Sequence, residues 1–391
     1  MRQSCLDTLG RRLRLGMVGG GEASLIGETH RIASRLDGLF DLVAGSFSSD
    51  PERGRQMGQK LMIAADRCYP DAATMASAEA ARADGIDAVT ICTPPEHHAE
   101  AARAFLAADI HVICDKPLTN DPASARALAA DAAASDCLFA VSYNYAAYPM
   151  IREARQRVAD GAIGRPRVAV AEFAVGTGGM INDDPDPGAR HWRFDPDRVG
   201  RGGIFLEIGT HAFHLMEFVS GLAVTAVSAH VDTQSPGRRV FDNAFVTVRF
   251  DNDAIGHVWL SYTATGSEHG LNLRLHGDKA GLAWRQETPN ALTLTPPDGP
   301  GRTLTRGMPG LSGSAERFTR VRSGHPEGFH DAFANIYRDV AERIAARLTA
   351  TPPDPLSADL PTAADGLRGL AFMEAALKSH DQYGAWAELV P

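Results

Sequence analysis

Short apolar runs alternate with alanine-rich helical patterns over the first 145 residues, and this alternation constrains the fold more than any other feature. Near-continuous apolar strands separated by helices are typical of a parallel sheet that is covered on both faces. The pattern therefore predicts an α/β fold whose first domain is a doubly wound parallel sheet. The strand-like runs are Leu13–Val18, Asp41–Gly45, Ala88–Cys92, Ile110–Cys114 and Phe139–Ser142.

The rest of the chain has a different pattern, in which strand-like runs follow one another with short turns. Runs of this kind are typical of a mostly antiparallel sheet, so we predict an α+β domain over residues 146–391, after a first domain of residues 1–145. Two domains agree with the length of 391 residues, which exceeds the usual ceiling for one core. The runs are Val168–Phe173, Val224–Val231, Ala244–Phe250, Gly256–Tyr262, Leu271–His276 and Leu282–Arg285.

Helices and one long excursion complete the prediction for the second domain. The stretch Thr177–Gly200 is rich in Gly, Asp, Pro and Arg and predicts a long loop, which a helix over Gly203–Gly221 follows. Phe329–Leu348 and Ala363–Leu377 are predicted as closing helices. They are candidates for packing back against the first domain.

Charge and composition exclude several classes of protein. The chain has 39 Lys plus Arg against 48 Asp plus Glu, a formal charge of -9, which argues against a general nucleic-acid binder. The first seven residues lack the apolar core of a signal peptide, and no apolar stretch is long enough to span a bilayer. Five scattered cysteines without a C-x-x-C pair predict neither a disulfide framework nor a zinc ribbon. We therefore expect a cytoplasmic protein that binds neither nucleic acid nor a membrane.

A glycine triplet, Gly19-Gly20-Gly21, directly follows the first strand-like run. The dinucleotide fingerprint G-x-G-x-x-G needs glycine for a tight turn and for close approach of the backbone to a pyrophosphate. Gly19 and Gly21 fit its first two places, whereas Ser24 occupies the third, and Gly27 can serve if the turn carries three extra residues. The triplet predicts a nicotinamide dinucleotide, with a glycine-rich turn that binds no ligand as the alternative.

The end of the second run bears on the choice between NAD and NADP. An acidic residue there would bind the ribose 2′-hydroxyl and repel a 2′-phosphate. This chain instead has hydroxyls at Ser46, Ser48 and Ser49, no acid before Asp50, and Arg53 close behind. Hydroxyls with a nearby guanidinium can hold a phosphate, so the residues favour NADP. The alternative is that Asp50 reaches back and NAD is the cofactor.

Two further motifs follow strand-like runs: Thr93-Pro94 with His98, and Asp115-Lys116-Pro117. The carboxyl ends of parallel strands are where open α/β sheets bind ligands. Together with the glycine turn, these motifs resemble the family of glucose–fructose oxidoreductase, inositol dehydrogenase and related sugar dehydrogenases (GFO/IDH/MocA). That family usually has T-P-x-x-x-H and E-K-P, so Asp115 stands here for the usual Glu.

The resemblance extends along almost the whole chain. Its further matches are Trp192–Pro196, Glu207–His211 (with Glu for the usual Asp), Asp242–Ala244, His276–Gly281 and His325–Phe329. It implies a Rossmann domain followed by a domain with a mainly antiparallel, open sheet. It also implies an NAD(P)-dependent enzyme that acts on a ring hydroxyl or ketone of a sugar, cyclitol or sugar derivative, assembled as a homodimer or homotetramer.

The resemblance also implies roles for individual residues. Lys116 would be catalytic, since an ammonium beside the nicotinamide can orient the hydroxyl and stabilise a developing alkoxide. Glu207 and His211 would share one helical face, with His211 as general base and Glu207 orienting it. A surface lysine and a structural helix histidine are the alternatives. The cofactor candidates also include Thr93, Pro94, His98, Asp115, Lys116 and Asn144; the substrate candidates are Lys116, Tyr143, Tyr148, Arg193, Glu207, His211, His214, His325 and Glu327.

Three other interpretations stay open at this point. Glu207, His211 and His214 lie at i, i+4 and i+7 and could bind a divalent metal, but we expect none because the nicotinamide does the redox chemistry. A second interpretation is a glycosidase-like or lyase-like enzyme of the same architecture with transient redox of bound NAD. The third is a dinucleotide or sugar sensor without catalysis, which the presence of both Lys116 and His211 disfavours.

Overall fold

The structure, a computed structural model, describes residues 5–22, 24–177 and 192–391, apart from the side chains of Cys5 and Trp192. Most of the predicted excursion, residues 178–191, thus lies outside the described residues, as does the extreme N-terminus. The described part of the chain forms two sheets, one of five strands and one of nine.

The five-stranded sheet is parallel throughout and has the order β2-β1-β3-β4-β5. Its order reverses beside β1, which creates the switch point where such sheets bind ligands. Gly19 pairs with Cys92 and Cys114 pairs with Val141, so the residues that follow β1, β3, β4 and β5 meet at one sheet edge. The prediction of an N-terminal doubly wound sheet is confirmed. The strands are β1 Leu13–Gly19, β2 Phe40–Ser46, β3 Ala88–Cys92, β4 His111–Cys114 and β5 Phe139–Val141.

Helices alternate with these strands, and side-chain caps begin several of them. Ser24 accepts a hydrogen bond from the amide of Gly27, and Asp121 accepts one from Ser124 at 2.8 Å with Pro122 in the first helical position. The helices are α1 Cys5–Leu9, α2 Leu25–Leu36, α3 Pro51–Lys60, α4 Ala72–Ala80, α5 His98–Leu106 and α6 Pro122–Ala134.

The nine-stranded sheet has the order β13-β12-β11-β10-β6-β9-β8-β7-β14, and its neighbours are antiparallel except for the pair β6 and β9. The prediction of a mostly antiparallel sheet is therefore confirmed. The strands β12 to β14 were not predicted, because they are short and lack a continuous apolar run. The strands are β6 Pro166–Ala174, β7 Val224–Asp232, β8 Asn243–Phe250, β9 Ile255–Ser261, β10 Gly270–Gly277, β11 Gly281–Arg285, β12 Ala291–Thr295, β13 Arg302–Thr305 and β14 Ala387–Glu388.

The predicted helix over Gly203–Gly221 is interrupted near its start. Phe205–Gly209 forms a π-helical turn that leads into an α-helix over Thr210–Ser220. Such π turns occur often at functional sites. The remaining helices are α7 Pro149–Ala159, α8 Pro196–Val199, α9 Thr210–Ser220, α10 Gly313–Arg317, α11 Phe329–Thr349 and α12 Ala363–Asp381.

The chain divides into two compact units. The first unit comprises Met1–Asn144 with Phe329–Gly366, and the second comprises Tyr145–Gly328 with Leu367–Pro391. The chain thus returns to the parallel-sheet unit through α11, whose buried residues Phe333 and Tyr337 pack their rings against His30 of α2.

Candidate active site

The glycine turn after β1 leaves no room for side chains. Gly19 and Gly20 have φ angles of 83° and 71°, in the left-handed region that favours glycine. A Cβ at Gly19 would lie 2.8 Å from the carbonyl oxygen of Cys92, and one at Gly27 would lie 2.3 Å from the Cα of Gly20. Gly27 therefore supplies the close packing of helix against turn that the third glycine of the fingerprint serves, while Ser24 caps the helix.

The acid at the end of β2 is engaged in local structure. Oδ1 of Asp50 accepts hydrogen bonds from the amides of Glu52 at 2.8 Å and Arg53 at 3.1 Å, which caps α3. Ser48 accepts a hydrogen bond from the Asp50 amide at 3.1 Å, and Ser46 is buried at the end of its strand. Ser49 and Arg53 are exposed.

His98 joins the two loops that follow β3 and β4. Its ring is fully buried, and its Nδ1 and Nε2 each lie 2.9 Å from a carbonyl oxygen, those of Pro117 and Thr93. Burial lowers the pKa of His98, an effect that Asp115 and the carbonyl oxygens oppose. The histidine thus connects two backbone segments and does not face open solvent.

Asp115 and Lys116 follow β4 at the same sheet edge. The carboxylate of Asp115 accepts a hydrogen bond from Ser142 at 2.5 Å and lies 3.7 Å from Nε2 of His30. Burial by itself raises the pKa of this carboxyl. The attraction of His30 and Lys116, with the hydrogen bond from Ser142, outweighs burial and lowers the pKa to about 2. Asp115 is therefore a fixed anion beside the half-buried Lys116, whose peptide bond to Pro117 is cis.

Two buried polar atoms at this edge are available for hydrogen bonds to a ligand. Oγ1 of Thr93 and Nδ2 of Asn144 have no hydrogen-bond partner among residues 5–22, 24–177 and 192–391. Buried polar groups are normally paired, so unpaired ones mark places where a bound group can complete the hydrogen bonding. Together with the side-chain-free turn at Gly19–Gly21, they suit a dinucleotide laid across the strand ends. Tyr143, next to Asn144, is buried as well.

In the second unit, Glu207 lies in the π turn and pairs with Arg193. Nε of Arg193 is 3.2 Å from Oε1 of the carboxylate, and both side chains are partly exposed. Two of the predicted substrate residues are thus brought together, from the loop before α8 and from the turn before α9. Arg193 thus gives the Glu207 carboxylate a charged partner at the start of the helix that carries His211.

His211 lies in an aromatic environment that the sequence did not predict. The ring of Tyr145 packs edge to face on the imidazole, with centroids 4.7 Å apart and planes at 87°. Phe173 lies 6.2 Å away, and Tyr148 stacks on Tyr145 at 6.1 Å. His211 is 6% exposed, and its position is set by neighbours distant in sequence. His214, one turn on, stacks on Phe218 at 5.6 Å.

The two predicted residues near 325 have different surroundings. His325 is exposed, whereas Glu327 is buried in an ion pair of 2.8 Å with Arg306. Oε1 of Glu327 also accepts hydrogen bonds from the amides of Arg320 and Val321 at 2.7 and 2.8 Å. Glu327 thus holds the loop that carries His325.

Residues 5–22, 24–177 and 192–391 contain neither a metal-binding cluster nor a membrane-spanning helix. No group of three or more His, Cys, Asp or Glu side chains there is placed to hold a metal ion. No helix in the described ranges is long and apolar enough to cross a membrane.

Four residues that were not predicted lie around the predicted ones; three contact predicted residues, and Tyr337 contacts His30, one of those three. His30 and Ser142 approach Asp115, Tyr337 hydrogen-bonds to His30, and Tyr145 packs on His211. The sequence held one signal for His30, which lies three residues after Gly27 on the helix that follows the glycine turn. No comparable signal marked Tyr337, which lies 307 residues from its partner.

Comparison with known proteins gives matches in both parts of the chain. Residues 13–143 match the model of the oxidoreductase family with an NAD-binding Rossmann fold, and residues 151–283 match the GFO/IDH/MocA C-terminal domain. An uncharacterized oxidoreductase, YfiI of Bacillus subtilis (strain 168), is 33% identical over 384 residues, 97% of this chain and 98% of that protein.

Solved structures agree over nearly the full length. An oxidoreductase from Sinorhizobium meliloti is 42% identical, with a TM-score of 0.86 over 96% of this chain and 99% of that one. An inositol dehydrogenase homolog from Azotobacter vinelandii, solved with NAD⁺, is 35% identical, with a TM-score of 0.89 over 97% of each chain. The same homolog with NADH and myo-inositol is 34% identical, with a TM-score of 0.86 over 97% of this chain and 98% of that one.

Proposed function

The chain belongs to the GFO/IDH/MocA family of oxidoreductases, and we propose that it transfers hydride between a nicotinamide and a ring carbon of a sugar, cyclitol or sugar derivative. The observation that carries this proposal is the shared edge of the parallel sheet, where the glycine turn, Thr93 and Asp115-Lys116 end side by side. The homolog bound to NADH and myo-inositol supports the substrate class.

The cofactor residues are proposed on the fit described above. The turn at Gly19–Gly21, packed by Gly27, would face the pyrophosphate, with Thr93, Pro94 and Asn144 along the strand ends. His98 would contribute by holding the loops after β3 and β4. When bound, the nicotinamide accepts or returns a hydride. Asp50 caps α3 through one oxygen. We propose NADP as the preferred cofactor, with NAD as the alternative, on the basis of Ser46, Ser48, Ser49 and Arg53.

Lys116 supplies positive charge next to the reacting oxygen. Its ammonium orients the substrate hydroxyl and stabilises the alkoxide that develops as the proton leaves. Asp115, ionised at neutral pH, gives Lys116 a nearby counter-charge.

The proton is handled by His211. In oxidation its imidazole takes the hydroxyl proton, and in reduction it returns the proton to the carbonyl oxygen. Glu207, paired with Arg193, tunes and orients this imidazole. Tyr143, Tyr148, Arg193, His214 and His325 would supply hydrogen bonds to substrate hydroxyls, and Glu327 would act by holding the loop of His325.

We also propose a location and a state of assembly. The protein is proposed to be cytoplasmic and to form a homodimer or homotetramer. The family resemblance implies that the copies associate through the open sheet. Val168, Phe245 and Ile255 of that sheet are exposed, which supports an apolar contact.

A coupled absorbance screen tests the function. Sugars and inositols are offered with NAD⁺ and NADP⁺, and we expect at least one ring polyol to give stoichiometric reduced nicotinamide. Release of a sugar fragment without net change in absorbance would overturn the dehydrogenase in favour of a transient-redox lyase. Cofactor binding without turnover on any substrate would indicate a sensor.

A further inference from the structure

A buried polar chain crosses the first unit and ends beside Lys116. Oγ1 of Thr90 lies 2.8 Å from the hydroxyl of Tyr337, and that hydroxyl lies 2.9 Å from Nδ1 of His30. Nε2 of His30 lies 3.7 Å from Oδ1 of Asp115. Thr90, His30 and Tyr337 are at most 1% exposed, and Asp115 is 7% exposed. Residues from four separate elements thus form one polar path.

The chemistry of the groups fixes a consistent direction for the protons. The carboxylate of Asp115 can only accept, so a proton on Nε2 of His30 gives the favourable contact. Nδ1 then accepts from the hydroxyl of Tyr337, whose oxygen accepts in turn from Thr90. Nε2 makes no hydrogen bond within the described ranges, and its contact with the carboxylate is an electrostatic one at 3.7 Å.

The stability of the core does not by itself explain this buried polar path. Burying polar groups is costly unless they are paired, and apolar residues of similar size would pack at lower cost. The path instead connects the glycine turn with Lys116, whose relative positions matter for the proposed reaction. His30 lies on α2, whose Gly27 packs on the glycine turn, and Asp115 precedes Lys116 in the chain. Tyr337 anchors both from α11.

We propose that His30 is a positioning residue, which holds Asp115 and thereby Lys116 in register with the glycine turn, with Tyr337 locking the His30 ring. This inference rests on the proposed function of Lys116. His30 itself touches neither substrate nor cofactor in this proposal. Its loss should therefore lower kcat and leave cofactor affinity nearly unchanged.

The test compares four variants of the full chain by kcat, KM, NAD(H) binding by fluorescence and thermal unfolding. His30→Leu should lower kcat by about 10- to 100-fold, since small displacements of a reacting group are this costly. His30→Gln, which can still face both partners, should recover part of that loss. Tyr337→Phe removes one hydroxyl and should lower kcat by about 3- to 10-fold with KM unchanged. Phe333→Leu removes a ring that packs on His30 and should lower thermal stability without lowering kcat.

The outcomes separate the inference from the function it rests on. Equal losses of kcat in His30→Leu and Phe333→Leu would show that packing, and not the polar path, holds the site. A Tyr337→Phe protein with full kcat would also overturn the inference. If Lys116→Met is inactive while His30→Leu keeps kcat, the inference alone fails. If Lys116→Met keeps full turnover, the role of Lys116 fails, and the inference fails with it.

Discussion

The two units of the molecule position their candidate functional residues by different means. In the first unit, the glycine turn, Thr93 and Lys116 follow strands of one parallel sheet, so backbone pairing brings them to a common edge. In the second unit, His211 is positioned by side chains from distant elements, Tyr145 and Phe173. The functional motifs of the first unit can therefore be recognised in the sequence. In the second unit the sequence shows the residues of the helix but not the distant rings that position His211.

His211 gives the sharpest test of the second unit. His211→Asn keeps a polar side chain but removes the proposed general base, and we expect kcat to fall by about 10²- to 10⁴-fold. Cofactor affinity, measured by NADH fluorescence, should stay within about threefold, since this role involves protons. Turnover near that of wild type would remove His211 from the chemistry and leave the second unit without a base.

Lys116 gives the matching test of the first unit. Lys116→Met keeps the length of the side chain and removes its charge, and we expect kcat to fall by about 10²- to 10³-fold. Thermal unfolding and NADH binding serve as controls, because they show whether the variant still folds and still binds the cofactor. An unchanged kcat would mean that the sheet edge binds the cofactor but does not take part in proton or charge transfer.

The charge of Asp115 makes the first unit sensitive to acid. Its pKa, about 2 in the folded protein, lies below the value of about 3.9 expected when unfolded. The resulting stabilisation, about 2 to 3 kcal/mol, is present above pH 4 and is lost as pH falls toward 2. Urea unfolding should show the advantage of wild type over Asp115→Asn shrinking between pH 7 and pH 3. A constant difference would mean that the carboxylate contributes shape and not charge.

Tyr145 tests whether aromatic packing sets His211. Tyr145→Leu should lower kcat by about tenfold, because it removes the ring that packs on the imidazole and sets its position. Tyr145→Phe keeps the ring and is the matched control, with kcat expected within about twofold of wild type. An equal loss of kcat in both variants would mean that the hydroxyl matters and the ring contact does not.

Arg53 offers the smallest expected effect and addresses the cofactor. If this guanidinium holds a 2′-phosphate, Arg53→Ala should weaken NADP⁺ binding by about tenfold and leave NAD⁺ binding unchanged. Exposure of Arg53 keeps the effect on stability small. Equal effects on both cofactors, or a wild-type preference for NAD⁺, would contradict the expectation of NADP.

Much of the fold was predictable because it rests on periodicity. Apolar runs at Ala88–Cys92 and Phe139–Val141 were correctly assigned to the parallel sheet, since strands covered on both faces require continuous apolar residues. The short strands Ala291–Thr295 and Arg302–Thr305 escaped prediction because both are only partly buried and lack a continuous apolar run. The π turn at Phe205–Gly209 escaped it too, since one extra residue in a helix leaves little trace in composition.

Local sequence by itself determined the turn at Gly19–Gly21, the cap at Asp121 and the placement of Lys116 after a buried strand. These depend on backbone geometry over a few residues, which side-chain size and hydrogen-bonding type dictate directly. Only the tertiary structure decided that His30 faces Asp115, that Tyr337 anchors it, and that Glu327 pairs with Arg306. Such contacts join residues far apart in the chain, where packing of whole elements, and no local rule, sets which side chains meet.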